Sequence, residues 1–326
     1  LLSNRSSIKN LEPGESRYFE KFRLMAKNFE IMEVGLRDGL QIVEKDIIVE
    51  YKLSIINGLI ESGIKNIQVT SFVNPKRVPA MAHADELARR LPLVEGIQFS
   101  CLVFNEIGVE RALRSGLKKI ETSISVSETY SQNNLGMNIG ESVKNLKKIV
   151  SMAESNGMKI RSGLQCIWGS TYDGAINQKV IINRLSDILS MGISRVSLCD
   201  THGMARPNDV SNLLDIIYKT FPEINISMHL HNTNGMGLVN LNEALKFDIS
   251  EIDTSMGGIG GSPFIEKSSG NIATEDTIYM LENMGYDIGI DIKKISSLSR
   301  VLEKDIGESY FSGRVYKICL LYTSDA

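Results

Sequence analysis

The sequence predicts an α/β fold, a TIM (β/α)8 barrel, and two observations favour it. Strand-like apolar runs alternate with amphipathic helical segments eight times between Phe29 and Gly285. Eight such units in about 260 residues match the ~250 residues typical of this barrel. Several strand-like runs are apolar on both faces, as in a buried parallel sheet. A doubly wound open sheet has the same periodicity and remains the alternative.

The eight predicted strands are rich in Ile, Val, Ser and Thr. In chain order they are Phe29–Val34, Asn66–Phe72, Ile97–Phe104, Lys119–Val126, Lys159–Ile167, Arg195–Asp200, Asn225–His231 and Glu251–Met256. Between them, apolar residues recur at helical spacing, as at Ile181, Leu185 and Ile188. Four joins from helix to strand place glycine before an apolar residue, which supplies the left-handed residue that ends a helix. These joins are Gly63-Ile64, Gly116-Leu117, Gly157-Met158 and Gly192-Ile193.

The composition is that of an ordinary globular protein. The 326 residues are 42% hydrophobic and 23% charged, with a net charge of −3. This balance excludes intrinsic disorder and gives no electrostatic reason to bind nucleic acid or an anionic membrane. No apolar run approaches the ~18 residues of a membrane span. We therefore expect neither a nucleic-acid nor a membrane partner.

The cysteines and the two ends of the chain give weaker expectations. The four cysteines contain no CxxC pair, which favours a reducing compartment with Cys101, Cys166 and Cys199 as core residues. We expect an incomplete N-terminal extension over residues 1–27, a catalytic barrel with a C-terminal helical segment over 28–312, and a tail over 313–326 whose end is non-native. Cytoplasm is the expected compartment, with the mitochondrial matrix left open.

His229 and His231 are the strongest functional signal. Two residues apart on a strand, they point to the same side, toward the barrel axis. A structural histidine is the usual alternative, but the pair at a strand end favours a metal site. Asp38 and Asn271 can complete the site from strand one and the loop after strand eight, although alone they could be a helix cap and a turn residue. One carboxylate, one amide oxygen and two imidazoles suit Mg²⁺ or Mn²⁺ better than zinc.

Two further features lie beside this predicted site. Arg37 precedes Asp38 and could stabilise an enolate or a developing carbonyl oxygen, although a surface salt bridge is the plainer interpretation. The glycine cluster 257–261 lacks a Rossmann fingerprint, because Pro263 would interrupt the helix that should follow. We interpret the cluster as a mobile flap over the barrel mouth.

Four separated motifs, in order, resemble the 3-hydroxy-3-methylglutaryl-CoA lyase family. They are Glu33–Gln41, Thr70–Pro79, His229–His231 and Gly257–Asp276. The resemblance covers about residues 29–312, and the run Ser269–Asp276 favours the lyases over the related acyl-CoA condensing synthases. It implies an acyl-CoA thioester as substrate, a divalent cation as cofactor and a homodimer.

The resemblance also implies roles for individual residues. The metal ligands would be Asp38, His229, His231 and Asn271. Arg37 would stabilise the enolate and bind substrate together with Ser71 and Asn232, and Asp200 would be an acid on strand six. The implied reaction is a retro-Claisen cleavage that yields acetyl-CoA and acetoacetate.

Three positions depart from the family pattern. The flap cysteine of the family is Ser262 here, and an alkanol cannot exchange a proton at neutral pH as a thiol of pKa ~8.5 can. The proton would then come from bound water or His229. The strand-two glutamate is Gln68, a neutral amide, and the aspartate after the second histidine is Asn232. Loss of two proton carriers, each contributing ~10²–10⁴-fold, would leave slow catalysis.

These departures leave two alternatives open. Ser262 and Gln68 would line the implied pocket, so the chain could cleave a different acyl-CoA, for example citramalyl-CoA. It could also be a catalytically degenerate barrel that binds metal and acyl-CoA without turnover.

Overall fold

A computed structural model of the chain describes residues 29–261 and 270–318. Eight parallel strands close into a barrel in chain order, with the last strand hydrogen-bonded to the first. This closure confirms the predicted barrel and excludes the open sheet, in which the two outer strands would have free edges.

All eight predicted strands are present, and only the last is shifted. They are β1 (Glu30–Glu33), β2 (Asn66–Ser71), β3 (Gln98–Leu102), β4 (Lys119–Ser125), β5 (Lys159–Gln165), β6 (Arg195–Asp200), β7 (Asn225–Leu230) and β8 (Ile249–Thr254). β8 begins two residues earlier than predicted because Ile249 is buried and pairs with Ile226 of β7.

Helices cover the outside of the barrel and follow the predicted alternation. They are α1 (Val49–Glu61), α2 (Ala84–Arg89), α3 (Glu106–Arg114), α4 (Glu128–Leu135), α5 (Ile139–Ser155), α6 (Gln178–Ser190), α7 (Pro207–Thr220), α8 (Gly237–Ala244), α9 (Thr274–Asn283), α10 (Ile292–Ile306) and α11 (Val315–Ile318). Side-chain caps begin several of them; the Asn138 side chain accepts a hydrogen bond from the Glu141 backbone, and the Glu141 side chain accepts one from the Asn138 backbone. Among the described residues, no helix is long and apolar enough to cross a membrane.

The main core lies between the barrel and this helical layer. Cys101 and Cys199 lie on β3 and β6, and Cys166 lies one residue beyond β5; all three are buried and free. The C-terminal segment also packs on the barrel, since Tyr316 is fully buried and donates a hydrogen bond to Glu303. The predicted boundary at 312 thus falls inside a packed segment that extends to at least residue 318.

The glycines predicted to end helices do so in the left-handed conformation, and two of them provide a stability test. Gly63 after α1 and Gly116 after α3 have φ of +98° and +84°. A Cβ at Gly116 would meet nothing within 4 Å, whereas a Cβ at Gly63 would lie 2.6 Å from the Gly289 carbonyl oxygen. We expect Gly116→Ala to lower the free energy of unfolding by about 1–2 kcal/mol for the backbone conformation alone. Gly63→Ala should cost about 1–3 kcal/mol more because the backbone must move.

Urea unfolding of the two variants measures this difference. If the free energy of unfolding fell equally in the two variants, the close approach of residue 63 to Gly289 would have no effect on stability.

Candidate metal centre and its cavity

Asp38, His229 and His231 converge at the C-terminal end of the barrel. Asp38 lies in a π-helical turn, Gly35–Gly39, directly after β1, and the two histidines lie on and just after β7. Their Nε2 atoms are 3.8 Å and 3.7 Å from Asp38 Oδ2. Among the described residues, these three form a buried group whose ligand atoms all lie within 4.8 Å of one another. The imidazoles therefore point inward, as the HxH spacing predicts.

Asn271 completes this arrangement from the segment after β8. It forms a backbone bridge with His231, and its Nδ2 donates a 2.8 Å hydrogen bond to Asp38 Oδ2. Asn271 Oδ1 and His231 Nε2 are buried and have no hydrogen-bond partner among the described residues. Buried polar atoms without partners are costly, and a divalent cation bound to both atoms would remove that cost. The donor set thus fits a divalent metal ion.

Burial and neighbouring charges keep Asp38 and His231 in the protonation states that bind a metal ion. Burial alone would raise the pKa of Asp38, but the Arg37 guanidinium and the His231 imidazole outweigh it and hold that pKa well below its ordinary value. Burial lowers the pKa of His231. At neutral pH the site thus presents a carboxylate and a neutral imidazole, the forms that metal binding requires.

A cavity of about 520 Å³ opens onto the cluster. Arg37 lies in its wall, where Nη1 donates to Asp38 and Nε donates to Gln68 Oε1. The Arg37 and Asp38 side chains are only 12% and 7% exposed, so the pair is not a surface salt bridge. Gln68 and Ser71 also line the cavity, and Gln68 Nε2 is buried with no hydrogen-bond partner among the described residues.

Other predicted site residues have different surroundings. Asp200 lies at the end of β6, where its carboxylate accepts hydrogen bonds from the Met204 and Ala205 amides, and burial raises its pKa to about 6. Asn232 Oδ1 accepts a hydrogen bond from the Gly237 amide. Neither side chain lines the described cavity wall, so their catalytic and binding roles stay predictions.

The predicted flap can be described only in part. Ser262, predicted to act in catalysis, lies outside the described residues. Residues 257–261 are buried, and a Cβ at Gly257 would lie 2.5 Å from the Phe311 ring. The glycines of the cluster thus belong to a packed segment, and the mobility assigned to the flap stays a prediction.

The sequence interpretation missed a buried ionic cluster inside the barrel. Arg161 of β5 is paired with Glu121 of β4 and with Glu251 and Asp253 of β8. The signal was present, because charged residues alternate with apolar ones in the runs Lys119–Glu121 and Glu251–Asp253. In strands covered outside by helices, such alternation places the charges in the interior of the barrel.

Two buried carboxyl groups at the start of the glycine cluster predict a pH dependence of stability. Glu33 accepts from the Met256 amide, and Glu275 accepts from the Gly257 amide and the Ser299 hydroxyl. Burial raises the pKa of Glu33 and of Glu275 to about 7. Between the unfolded and folded pKa values the folded state binds more protons, so stability is greatest at low pH and falls as pH rises through about 7. Each group contributes about 3 kcal/mol to this fall, as an order of magnitude.

Glu275→Gln tests this dependence. The amide can still accept from Gly257 and can donate to the Ser299 hydroxyl, so the contacts are kept while the titration is removed. We expect the decrease in the free energy of unfolding between about pH 5 and pH 8 to become smaller by about the contribution of this one group. An unchanged slope in urea unfolding across this pH range would refute the assignment.

A closed parallel barrel with a buried Asp–His–His–Asn cluster at its C-terminal mouth defines a metal-binding barrel of enzymatic type. The HMGL-like family model matches residues 28–302. The chain belongs to the HMGL-like family, whose members depend on a divalent metal ion.

Named relatives agree with this assignment. The chain is 36% identical to a hydroxymethylglutaryl-CoA lyase of Bacillus subtilis over 86% of this chain and 94% of that protein. It is 31% identical to the Pseudomonas mevalonii enzyme over 85% and 92% of the two chains. The crystal structure of a B. subtilis HMG-CoA lyase matches with a TM-score of 0.86, 34% identity and coverage of 90% and 98%. An HMG-CoA lyase from Acinetobacter baumannii in complex with coenzyme A and 3-methylmalate matches with a TM-score of 0.86, 28% identity and coverage of 92% and 97%.

Proposed function

We propose that the chain is a hydroxymethylglutaryl-CoA lyase that cleaves 3-hydroxy-3-methylglutaryl-CoA into acetyl-CoA and acetoacetate. The single observation that carries the proposal is the convergence of four metal-ligand side chains beside Arg37 at the end of a large cavity. Relatives named for this activity match over most of the chain, which supports the same assignment.

The reaction requires two proton transfers, one from the C3 hydroxyl and one to C2 of the substrate. A base takes the proton of the C3 hydroxyl, the C2–C3 bond breaks, and its electron pair forms the enolate of acetyl-CoA. An acid then protonates C2, so the overall reaction needs no further reactant. A bound divalent cation, Mg²⁺ or Mn²⁺ in this proposal, would polarise the oxygens of the acyl chain.

The residues of the chain supply the remaining functions. Asp38, His229, His231 and Asn271 would hold the cation. Arg37 lies in the cavity wall with a fixed positive charge, so we assign it to the developing enolate oxygen. Ser71 would bind substrate from the same wall together with Asn232. Asp200 and bound water are the candidate proton carriers, and Ser262 would donate a hydrogen bond.

Cleavage of 3-hydroxy-3-methylglutaryl-CoA by the purified protein with Mg²⁺ or Mn²⁺ tests the proposal. Acetyl-CoA and acetoacetate should form in equal amounts. Citramalyl-CoA and longer branched acyl-CoA thioesters, compared by kcat/KM, test the substrate alternative. Absence of cleavage of every thioester, with metal bound, would leave a binding barrel without turnover as the function.

The neutral amide of Gln68 is the observation that favours slow turnover, and it gives a prediction. Gln68 lines the cavity and contacts Arg37, so a carboxylate there could exchange protons beside the substrate. We expect Gln68→Glu to raise kcat by about 10²-fold, the lower end for a positioned acid or base. Gln165→Glu is the matched control, because Gln165 also lines the cavity but does not contact Arg37. An equal gain in both variants, or none in either, would contradict a specific role for position 68.

Assembly and compartment complete the proposal. We propose a homodimer, as the family resemblance implies, and sedimentation velocity tests it through the mass of the particle. A reducing compartment, the cytoplasm or the mitochondrial matrix, is supported by three buried free thiols at Cys101, Cys166 and Cys199.

A further inference from the structure

One side of the His229 ring faces the metal cluster, and the other side faces Asp253. Nε2 of His229 points to Asp38, whereas Nδ1 lies 3.1 Å from Asp253 Oδ2. His229 and Asp253 are direct partners in the register of β7 and β8. Neighbouring in-register residues of parallel strands project to the same face, so both side chains enter the barrel interior at the same level.

Asp253 is itself held in place by Arg161. Arg161 Nη1 donates to Asp253 Oδ1 at 2.6 Å, and Nη2 donates to Asp253 Oδ2 at 3.1 Å. The other edge of the guanidinium donates from Nε to Glu121 Oε2 at 2.9 Å. All three side chains are buried. A two-point contact of this kind fixes the plane of the carboxylate as well as its position.

The charge of Asp253 determines which atom donates in its contact with His229. The Arg161 guanidinium donates to both oxygens of Asp253, so this buried group is an ionised carboxylate. An ionised carboxylate only accepts hydrogen bonds. Nδ1 of His229 is therefore the donor, and Nε2 carries the free lone pair directed at Asp38.

We propose that Asp253, locked by Arg161, is a positioning residue that sets the tautomer and ring orientation of His229 for metal binding. Asp253 does not belong to the ligand cluster around Asp38. It acts from the opposite side of the imidazole, where a fixed acceptor raises the basicity of the ligating nitrogen. The inference rests on the metal site of the proposed function, and its readouts are metal binding and imidazole protonation.

The first test is Mn²⁺ binding to Asp253→Asn, followed by electron paramagnetic resonance of free Mn²⁺. We expect Kd to rise about 10–100-fold, the usual effect of losing such a partner of a ligating histidine. Glu121→Gln is the matched control, because it also removes a buried carboxylate from Arg161, but its contacts do not include His229. Its Kd should stay near the wild-type value. Equal weakening in both variants, or no weakening in Asp253→Asn, would overturn the proposal.

The second test uses the unaltered protein and therefore does not depend on the folding of a variant. The chain has four histidines, so a long-range ¹⁵N–¹H spectrum of the histidine-labelled, Mg²⁺-loaded protein resolves each ring. The His229 signals, assigned with His229→Asn, should show a protonated Nδ1 and an unprotonated Nε2. Protonation at Nε2 would contradict the proposal. Failure of the unaltered protein to bind either metal would instead contradict the metal site of the proposed function.

Discussion

Replacement of Arg37 by methionine is expected to lower kcat by about 10²–10³-fold, with a much smaller change in Mn²⁺ affinity. Arg37 lies in the wall of the cavity with its guanidinium fixed between Asp38 and Gln68. A charge held at this place needs no reorganisation when the enolate forms, and removal of one such group typically costs this much. Steady-state rates with 3-hydroxy-3-methylglutaryl-CoA, measured at saturating Mn²⁺, give the result.

Two further variants separate charge from geometry at this position. Arg37→Lys keeps the charge but lacks the planar fork that reaches two partners, so its kcat should lie between those of the wild type and Arg37→Met. Arg77→Met removes another cation from the wall of the same cavity and should leave kcat near the wild-type value. If kcat of Arg77→Met fell as much as kcat of Arg37→Met, the loss of activity would reflect the positive potential of the whole cavity and not the position of Arg37.

Removal of the His231 imidazole is expected to weaken Mn²⁺ binding more than about 100-fold, beyond the usual effect of losing a residue that only supports a ligand. His231 is buried, and its Nε2 has no hydrogen-bond partner among the described residues. The apo form of His231→Ala should therefore unfold near the wild-type temperature, because neither ring nitrogen of His231 has a hydrogen bond to lose among the described residues. In the wild type, a metal concentration 100 times Kd should raise the free energy of unfolding by about 2.7 kcal/mol. This stabilisation by metal should disappear in His231→Ala.

Thermal unfolding with and without Mn²⁺ measures both quantities. His83→Ala is the matched control, because the His83 side chain is 44% exposed and lies outside the cluster. It should keep the full stabilisation by metal. Retention of that stabilisation in His231→Ala would contradict the role of His231 as a ligand.

The strands and the helix ends were predictable because their causes are local. Period-two and period-3.6 patterns and left-handed glycines act within a few residues of chain. The error at β8 has a local cause as well, since Ile249 and Ser250 continue the strand pattern before Glu251. The HxH spacing similarly predicted that His229 and His231 share one face, because alternation along a strand is a local property.

The sequence by itself thus determined the order of the elements and the pair of inward histidines and favoured the barrel, whereas the closure of β8 on β1 excluded the open sheet. Tertiary structure alone decided that Asn271 donates to Asp38 across 233 residues of chain and that Asp253 lies behind His229. It also decided that Asp200 holds a loop with its carboxylate. Contacts of this kind depend on how the eight strands are staggered when the barrel closes. Stagger is a property of the whole barrel, so it cannot be predicted from any short segment of the sequence.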